Sequence, residues 1–269
     1  MKGFILSFRS EFYKTRKTMA FWSAVILPFV ICLMISIGFF SHSDKLSKLP
    51  GAMLWFEFSA PVLVVMGSIL LPMLIVFEAY SVNNIEHKAE TWKTLFSLPL
   101  SKWSVYSAKY LYALFLIILC LALFVLFTLG FGNLLGVIQP QLKFSEYHIE
   151  STLLQVYFKL LLSGLGILSI QFLLSLLFRD FLKPMGIGFV ATVAGIIMAN
   201  VQWKYTYLFP YSNAMLTIRS LKPDNNTNNG QGIPHITVDL FTKDICVSLI
   251  VAVTVFILGY FIVLKKSVK

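Results

Sequence analysis

The feature that most limits what this chain can fold into is the length of its apolar runs. Stretches at about residues 21–40, 59–78, 105–130, 152–178, 184–201 and 245–264 are almost free of charge. Each reaches or approaches the ~20 residues a helix needs to cross ~30 Å of hydrocarbon. Only 13% of the 269 residues are charged and 58% are hydrophobic, against ~25% charged in a soluble domain. A water-soluble fold of this size cannot hide that much apolar surface, so the expected solvent is lipid. Backbone groups in lipid must be bonded internally, and the short alternating segments of a barrel are absent, so the runs are read as helices. The expectation is an all-α polytopic membrane protein, with six transmembrane helices in a single domain spanning residues 1–269.

The net charge of +10 sits at the ends of the apolar runs. That placement fits topology and contact with lipid headgroups, not nucleic acid. With the N-terminus in the cytoplasm, most Lys and Arg fall on the cytoplasmic side, which puts both termini inside. Trp22 and Tyr106 are then expected at the inner interface, and Trp55, Trp203, Tyr205 and Tyr207 at the outer one, as aromatic belts.

The connections differ in kind. Residues 179–183 are so few that the fourth and fifth spans must be antiparallel neighbours. Residues 202–244 form a long external loop with a flexible polar middle. Its Tyr207-Leu208-Phe209-Pro210-Tyr211 portion is too apolar for a free loop and suggests a short helix or re-entrant piece. Ala191, Gly195 and Ala199 form a small-xxx-small ladder, suited equally to a contact within the chain or to a dimer seam.

The stretch between spans two and three is the most informative. Ile85, Ala89, Trp92 and Phe96 fall on one narrow helical face. Asn83 with Glu86 has the spacing of a capping box, and Pro99 disfavours helix at Leu98. An amphipathic cytoplasmic helix is expected, either lying on lipid or acting as a lever that docks a partner. The N-terminal segment places Phe4, Ile5, Phe8 and Phe12 on one face, and its cations, Arg9 among them, suit an anionic leaflet. This reads as an interfacial anchor. Glu78 is the one carboxylate well inside a span, placed either to reach the interface or to take part in gating.

Several chemistries find no residues to carry them. No glycine is followed by lysine, so there is no P-loop, and no HExxH or GxSxG occurs. Cys32, Cys120 and Cys246 have no metal or disulfide spacing, and His42, His87, His148 and His235 are scattered. No catalytic constellation, metal site or cofactor site is expected.

Glu90-Thr91-Trp92-Lys93-Thr94-Leu95, then Ser97-Leu98-Pro99-Leu100-Ser101, then Lys109 form a pattern in which the chain resembles the permease subunits of ABC type-2 exporters. Within them it is similar to the small permeases of lantibiotic-immunity and bacitracin-resistance systems. The resemblance implies a multi-pass protein of the bacterial cytoplasmic membrane, in which two permease chains, identical or different, assemble with separate cytoplasmic ATPase subunits. Residues 86–98 would form the coupling helix, with Ile85, Glu86, Ala89, Glu90, Trp92, Lys93 and Phe96 at the ATPase contact. The N-terminal segment would be the elbow helix, and residues 202–221 the short re-entrant helices. ATP hydrolysis would belong to the partner, and the cargo would be a peptide, drug or lipid-like molecule leaving the cytoplasm or inner leaflet. The alternative is a secondary transporter or channel working without an ATPase; it would want inverted repeats and paired intramembrane charges.

Overall fold

The computed structural model describes residues 2–47, 49–91, 99–224 and 235–265. Its helices are α1 (Lys2–Thr15), α2 (Met19–Ser41), the single turn α3 (Ser43–Leu46), α4 (Gly51–Val65), α5 (Leu71–Ala89), α6 (Lys102–Ile138), α7 (Glu150–Leu177), α8 (Leu182–Asn200), α9 (Pro210–Arg219) and α10 (Lys243–Lys265). A three-residue antiparallel ribbon pairs Lys222–Asp224 with His235–Thr237. Six of the helical stretches are long and apolar enough to cross a membrane, as the apolar runs require.

The second span is longer than its apolar run. α4, a π-helical turn at Met66–Leu70 and α5 continue into one another as a helix of 39 residues. At 1.5 Å per residue that is roughly 58 Å, about twice the hydrocarbon thickness. α6 has 37 residues and is nearly as long. Both must therefore project beyond the apolar slab. The π turn sits just before Pro72, which has no N–H to bond the preceding turn, and a widened turn absorbs that loss. In the same turn Gly67 lacks the Cβ that would collide with Ile218 and the Ala214 carbonyl of α9.

α9 is the short helix suggested by the apolar stretch before the polar loop. Pro210 opens it, where its missing N–H is not needed. Pro210, Tyr211, Ser212, Asn213, Ala214 and Thr217 are all buried, wedged between α7, α8, α10 and the π turn. The ladder on α8 serves this contact within the chain: a Cβ on Gly195 would lie 2.7 Å from the Tyr211 carbonyl. Polar groups hold the wedge. Gln171 Nε2 donates to Tyr211 Oη at 2.6 Å, Asn213 Nδ2 to the Asp244 carbonyl at 3.1 Å, and Lys159 Nζ, itself buried, to Ser220 Oγ at 2.8 Å.

The aromatic-belt expectation fails at two positions. Trp22, Trp203 and Tyr205 are exposed. Trp55 is instead buried, donating to the Phe144 carbonyl at 2.9 Å and packed edge-on against the Phe144 ring. Tyr106 is buried too, bonded to the Phe256 carbonyl at 2.8 Å. Both rings found backbone acceptors within the bundle, which removes the reason for an aromatic N–H or O–H to seek the headgroups.

Gly195→Ala should lower the melting temperature of the purified protein in detergent, because overpacking against backbone costs about 1–3 kcal/mol. Gly186→Ala, where a Cβ meets nothing within 4 Å, should leave it unchanged or slightly higher. Thermal unfolding of the two variants side by side checks the α8–α9 packing.

Candidate functional site

The projecting ends of α5 and α6 meet α1 at one end of the bundle, and there the chain buries a group of four charges. Lys109 on α6 is 1% exposed, and the Glu11 and Glu86 side chains are 3% and 2% exposed. Lys109 Nζ lies 2.9 Å from Glu11 Oε2 and 2.5 Å from Glu86 Oε2, and it also donates to the Val82 carbonyl at 3.2 Å. Three acceptors thus face the three N–H groups of one ammonium. Lys14 of α1 closes the group from the rim, 3.0 Å from Glu11 Oε1 and 3.0 Å from Glu86 Oε1. Burial pulls the Lys14 ammonium down, but the charges of Glu11 and Glu86 outweigh it and leave the group above the ordinary lysine value. Two cations balance two carboxylates, so the cluster is neutral as a whole. That is the condition under which ions tolerate removal from water.

α1 is positioned for this by its own sequence. Phe8 turns inward, its ring edge-on to Tyr112 and Phe115 of α6, while Ile5, Leu6 and Tyr13 stay exposed. Arg9 is exposed and bonds Tyr13 Oη at 3.3 Å; Phe4 stacks on Phe8, and Phe12 meets Tyr112 edge-on. Of the residues expected to form a surface anchor, Phe8 and Phe12 therefore serve as packing against α6. The buried face of the segment is Ser7, Glu11 and Thr15, residues that the search for an apolar stripe passed over. One signal was available: Glu11 is the only acidic residue before Asp44 in an otherwise basic segment.

The connecting stretch differs from expectation. No helix begins at Asn83. α5 runs unbroken through it to Ala89, and Asn83 is buried in its middle, donating to Ser175 Oγ of α7 at 2.7 Å. A buried partner across the bundle outcompetes the local capping bond. His87 adds a second tie, with Nε2 2.9 Å from the Ser175 carbonyl, and Tyr80 Oη donates to Asn84 Oδ1 at 2.9 Å while lying 3.3 Å from the Arg179 carbonyl. The helix stops at Glu90, whose φ of 52° is left-handed, and the Thr91 N–H closes on the Glu86 carbonyl at 3.2 Å, a Schellman-type ending. The expected single face is thereby divided. Ile85 and Ala89 lie on α5; Trp92, Lys93 and Phe96 lie outside the described residues. Ala89 and Glu90 are exposed, Ile85 is half-buried and Glu86 is inside the charge cluster.

So the expected contact residues take two roles. Those at the tip face solvent, and Glu86 faces inward, fastening the stretch to α1 and α6. The sequence model of the ABC-2 family transporter proteins matches residues 7–195, a region that takes in the cluster, the connecting stretch, the first four spans and most of the fifth. The chain belongs to the ABC-2 transporter family. Comparison with curated proteins and with solved structures found no match. Membership implies a membrane setting and an ATPase partner. In this ABC-2 protein Glu86 beside the connecting stretch and the N-terminal Glu11 are thus both ion-paired to Lys109 of α6.

Glu78, the remaining candidate, is wholly buried on α5, with Ser23 of α2 3.0 Å from Oε1.

Lys109→Met leaves two buried carboxylates with only the partly exposed Lys14 between them and should cost about 3–5 kcal/mol. Adding Glu11→Gln and Glu86→Gln to it should restore most of that loss. Chemical unfolding of the single and triple variants measures this, and equal stability of the two would refute the cluster's coupling.

Proposed function

We propose that this chain is the membrane-spanning permease of an ATP-driven exporter, with its α1 end in the cytoplasm, and that residues 85–98 receive the stroke of a separate ATP-binding subunit. The observation that carries this reading is the place of Glu86. It stands one turn from the exposed tip at Ala89 and Glu90, and through Lys109 it is ion-paired into α6 and α1. A push on the tip has no slack to take up. α5 is helical without interruption from Leu71 to Ala89, and Asn83 and His87 fix it to α7 as well. Displacement there is delivered to the spans as movement of packed helices.

Family membership supports an ATPase partner, and the pattern around Trp92 and Pro99 favours the exporters among such permeases. Two copies of the chain, or this chain with a related one, would enclose the path, in the cytoplasmic membrane of a bacterium. Catalysis would reside on the ATPase. The cargo class we favour is a peptide, drug or lipid-like molecule, in keeping with the likeness to lantibiotic-immunity and bacitracin-resistance permeases.

Detergent-solubilised protein should copurify with an ATP-binding subunit from its native host. Trp92→Asp should abolish that copurification without changing the melting temperature, since a carboxylate cannot be buried unpaired in the contact. Transport in liposomes devoid of any ATPase would sink the proposal.

A further inference from the structure

The junction of α1 and α2 sets two cations at the mouth of an apolar groove. Arg16 and Lys17 are exposed there. Lys14, just before them, is held by Glu11 and Glu86. Among the described residues no carboxylate pairs with Arg16 or Lys17. The Arg16 guanidinium lies over the exposed Tyr13 ring, 5.2 Å from its centre, which steadies the group without neutralising it. The first span begins at Met19, so both cations stand at the level of the lipid headgroups, where basic positions attract anionic lipid.

The groove starts at the same place. It has a volume of about 540 Å³, and its walls include Met19, Trp22, Ile26 and Val30 of α2 and Phe77 of α5. Positions 19, 22, 26 and 30 follow one stripe along a helix, and all four side chains are exposed. The trough therefore runs along α2 and opens sideways toward lipid. Its hydroxyl, on Ser23, is turned to the Ala20 carbonyl and the Glu78 carboxylate, which leaves the walls apolar. From Met19 to Val30 the helix rises roughly 16 Å at 1.5 Å per residue, close to half of the ~30 Å hydrocarbon core. That is the reach of one acyl chain within one leaflet. Met19, in the lining, is two residues from Lys17, so their α-carbons are within about 7 Å. A chain lying in the trough carries its headgroup to the two cations.

We infer that this groove holds one anionic glycerophospholipid, an acyl chain lying along Trp22, Ile26 and Val30 and the phosphate against Arg16 and Lys17. Charge complementarity decides among the occupants. A zwitterionic lipid would bring its own cation to a place where two already lack a partner. The same face of a second copy, related by a two-fold axis along the membrane normal, would set Arg16 and Lys17 against their own images. The lipid would seat α1, the segment that carries Glu11 and Lys14, on the bilayer surface. This inference goes beyond the exporter reading and stands whether or not an ATPase binds.

The test is native mass spectrometry of the full-length chain, delipidated in an uncharged detergent and titrated with dioleoylphosphatidylglycerol or dioleoylphosphatidylcholine. The wild type should bind its first phosphatidylglycerol at least about five-fold more tightly than phosphatidylcholine, the worth of one cation near an anionic surface. Replacing both cations, Arg16→Gln with Lys17→Gln, should remove that preference. Ile26→Phe with Val30→Phe, which fills the trough and leaves the cations, should weaken phosphatidylglycerol binding by a similar factor. Glycerol 3-phosphate, which has the phosphate and no chains, should not displace the lipid. Equal affinity of the wild type for the two lipids would overturn the inference, as would a preference retained without the cations. Unchanged binding in the filled variant would reduce the site to loose enrichment at a basic rim, and displacement by glycerol 3-phosphate would reduce it to a phosphate site; either result overturns the groove as a lipid site. A dimer that the filled variant alone fails to form would give the groove to a second copy instead. The substituted side chains are all exposed, and the comparison of lipids on the wild type needs no variant. No ATPase is present, so these outcomes are independent of the copurification result.

Discussion

The structure depends on the mutual neutralisation of Glu11, Lys14, Glu86 and Lys109. In a chain with so few charges, four of them converge on one buried point where three helices meet. None can be there alone. Lys109 without its carboxylates would be a bare ammonium inside protein, and the two glutamates without Lys109 would share only Lys14 at the rim. The cluster therefore acts as an all-or-none fastening. α1, the end of α5 and the start of α6 are either all in place or all wrong. This kind of fastening contributes more to specifying arrangement than to net stability, because desolvation offsets much of the Coulomb gain.

The fastening lies where it has mechanical consequence. The long helices α5 and α6 extend past the apolar slab, and their projecting turns would otherwise be two separate stalks. Lys109 bridges them, and Glu11 joins them to a segment that is connected through Thr18 to the first span. Asn83 and His87 extend the same tie to α7 by sharing Ser175. A rigid collar thus surrounds the base of the connecting stretch, and the left-handed turn at Glu90 marks where the collar ends. The π turn and α9 lie at a different level, where Gly67 and Gly195 allow close approach and polar bonds to Gln171 and Lys159 replace bulk packing.

Much of the site was legible in part. The segment after span two stood out by pattern, and Glu86 and Lys109 were within it, but periodicity points to faces and says nothing of which face turns inward. Asn83 illustrates the difficulty. Its spacing to Glu86 satisfies a local capping rule, and a partner 92 positions away overrides it. Trp55 and Tyr106 misled for the same reason: an amphipathic ring near the end of an apolar run suits an interface, unless the bundle offers it a carbonyl first. Glu11 carried only the faint signal of one acid among cations.

What the sequence alone determined is the environment and the class of element. Runs of that length and hydropathy, in which every backbone group must find its partner locally, can only be membrane helices, and their number follows directly. What only the tertiary structure decided is the pairing of the few polar side chains. Their partners are 23 and 98 positions apart for Lys109, and 72 for Lys14. A charge or amide in such a chain settles its role by what it meets across the bundle, because burial makes the unmet alternative too costly to persist.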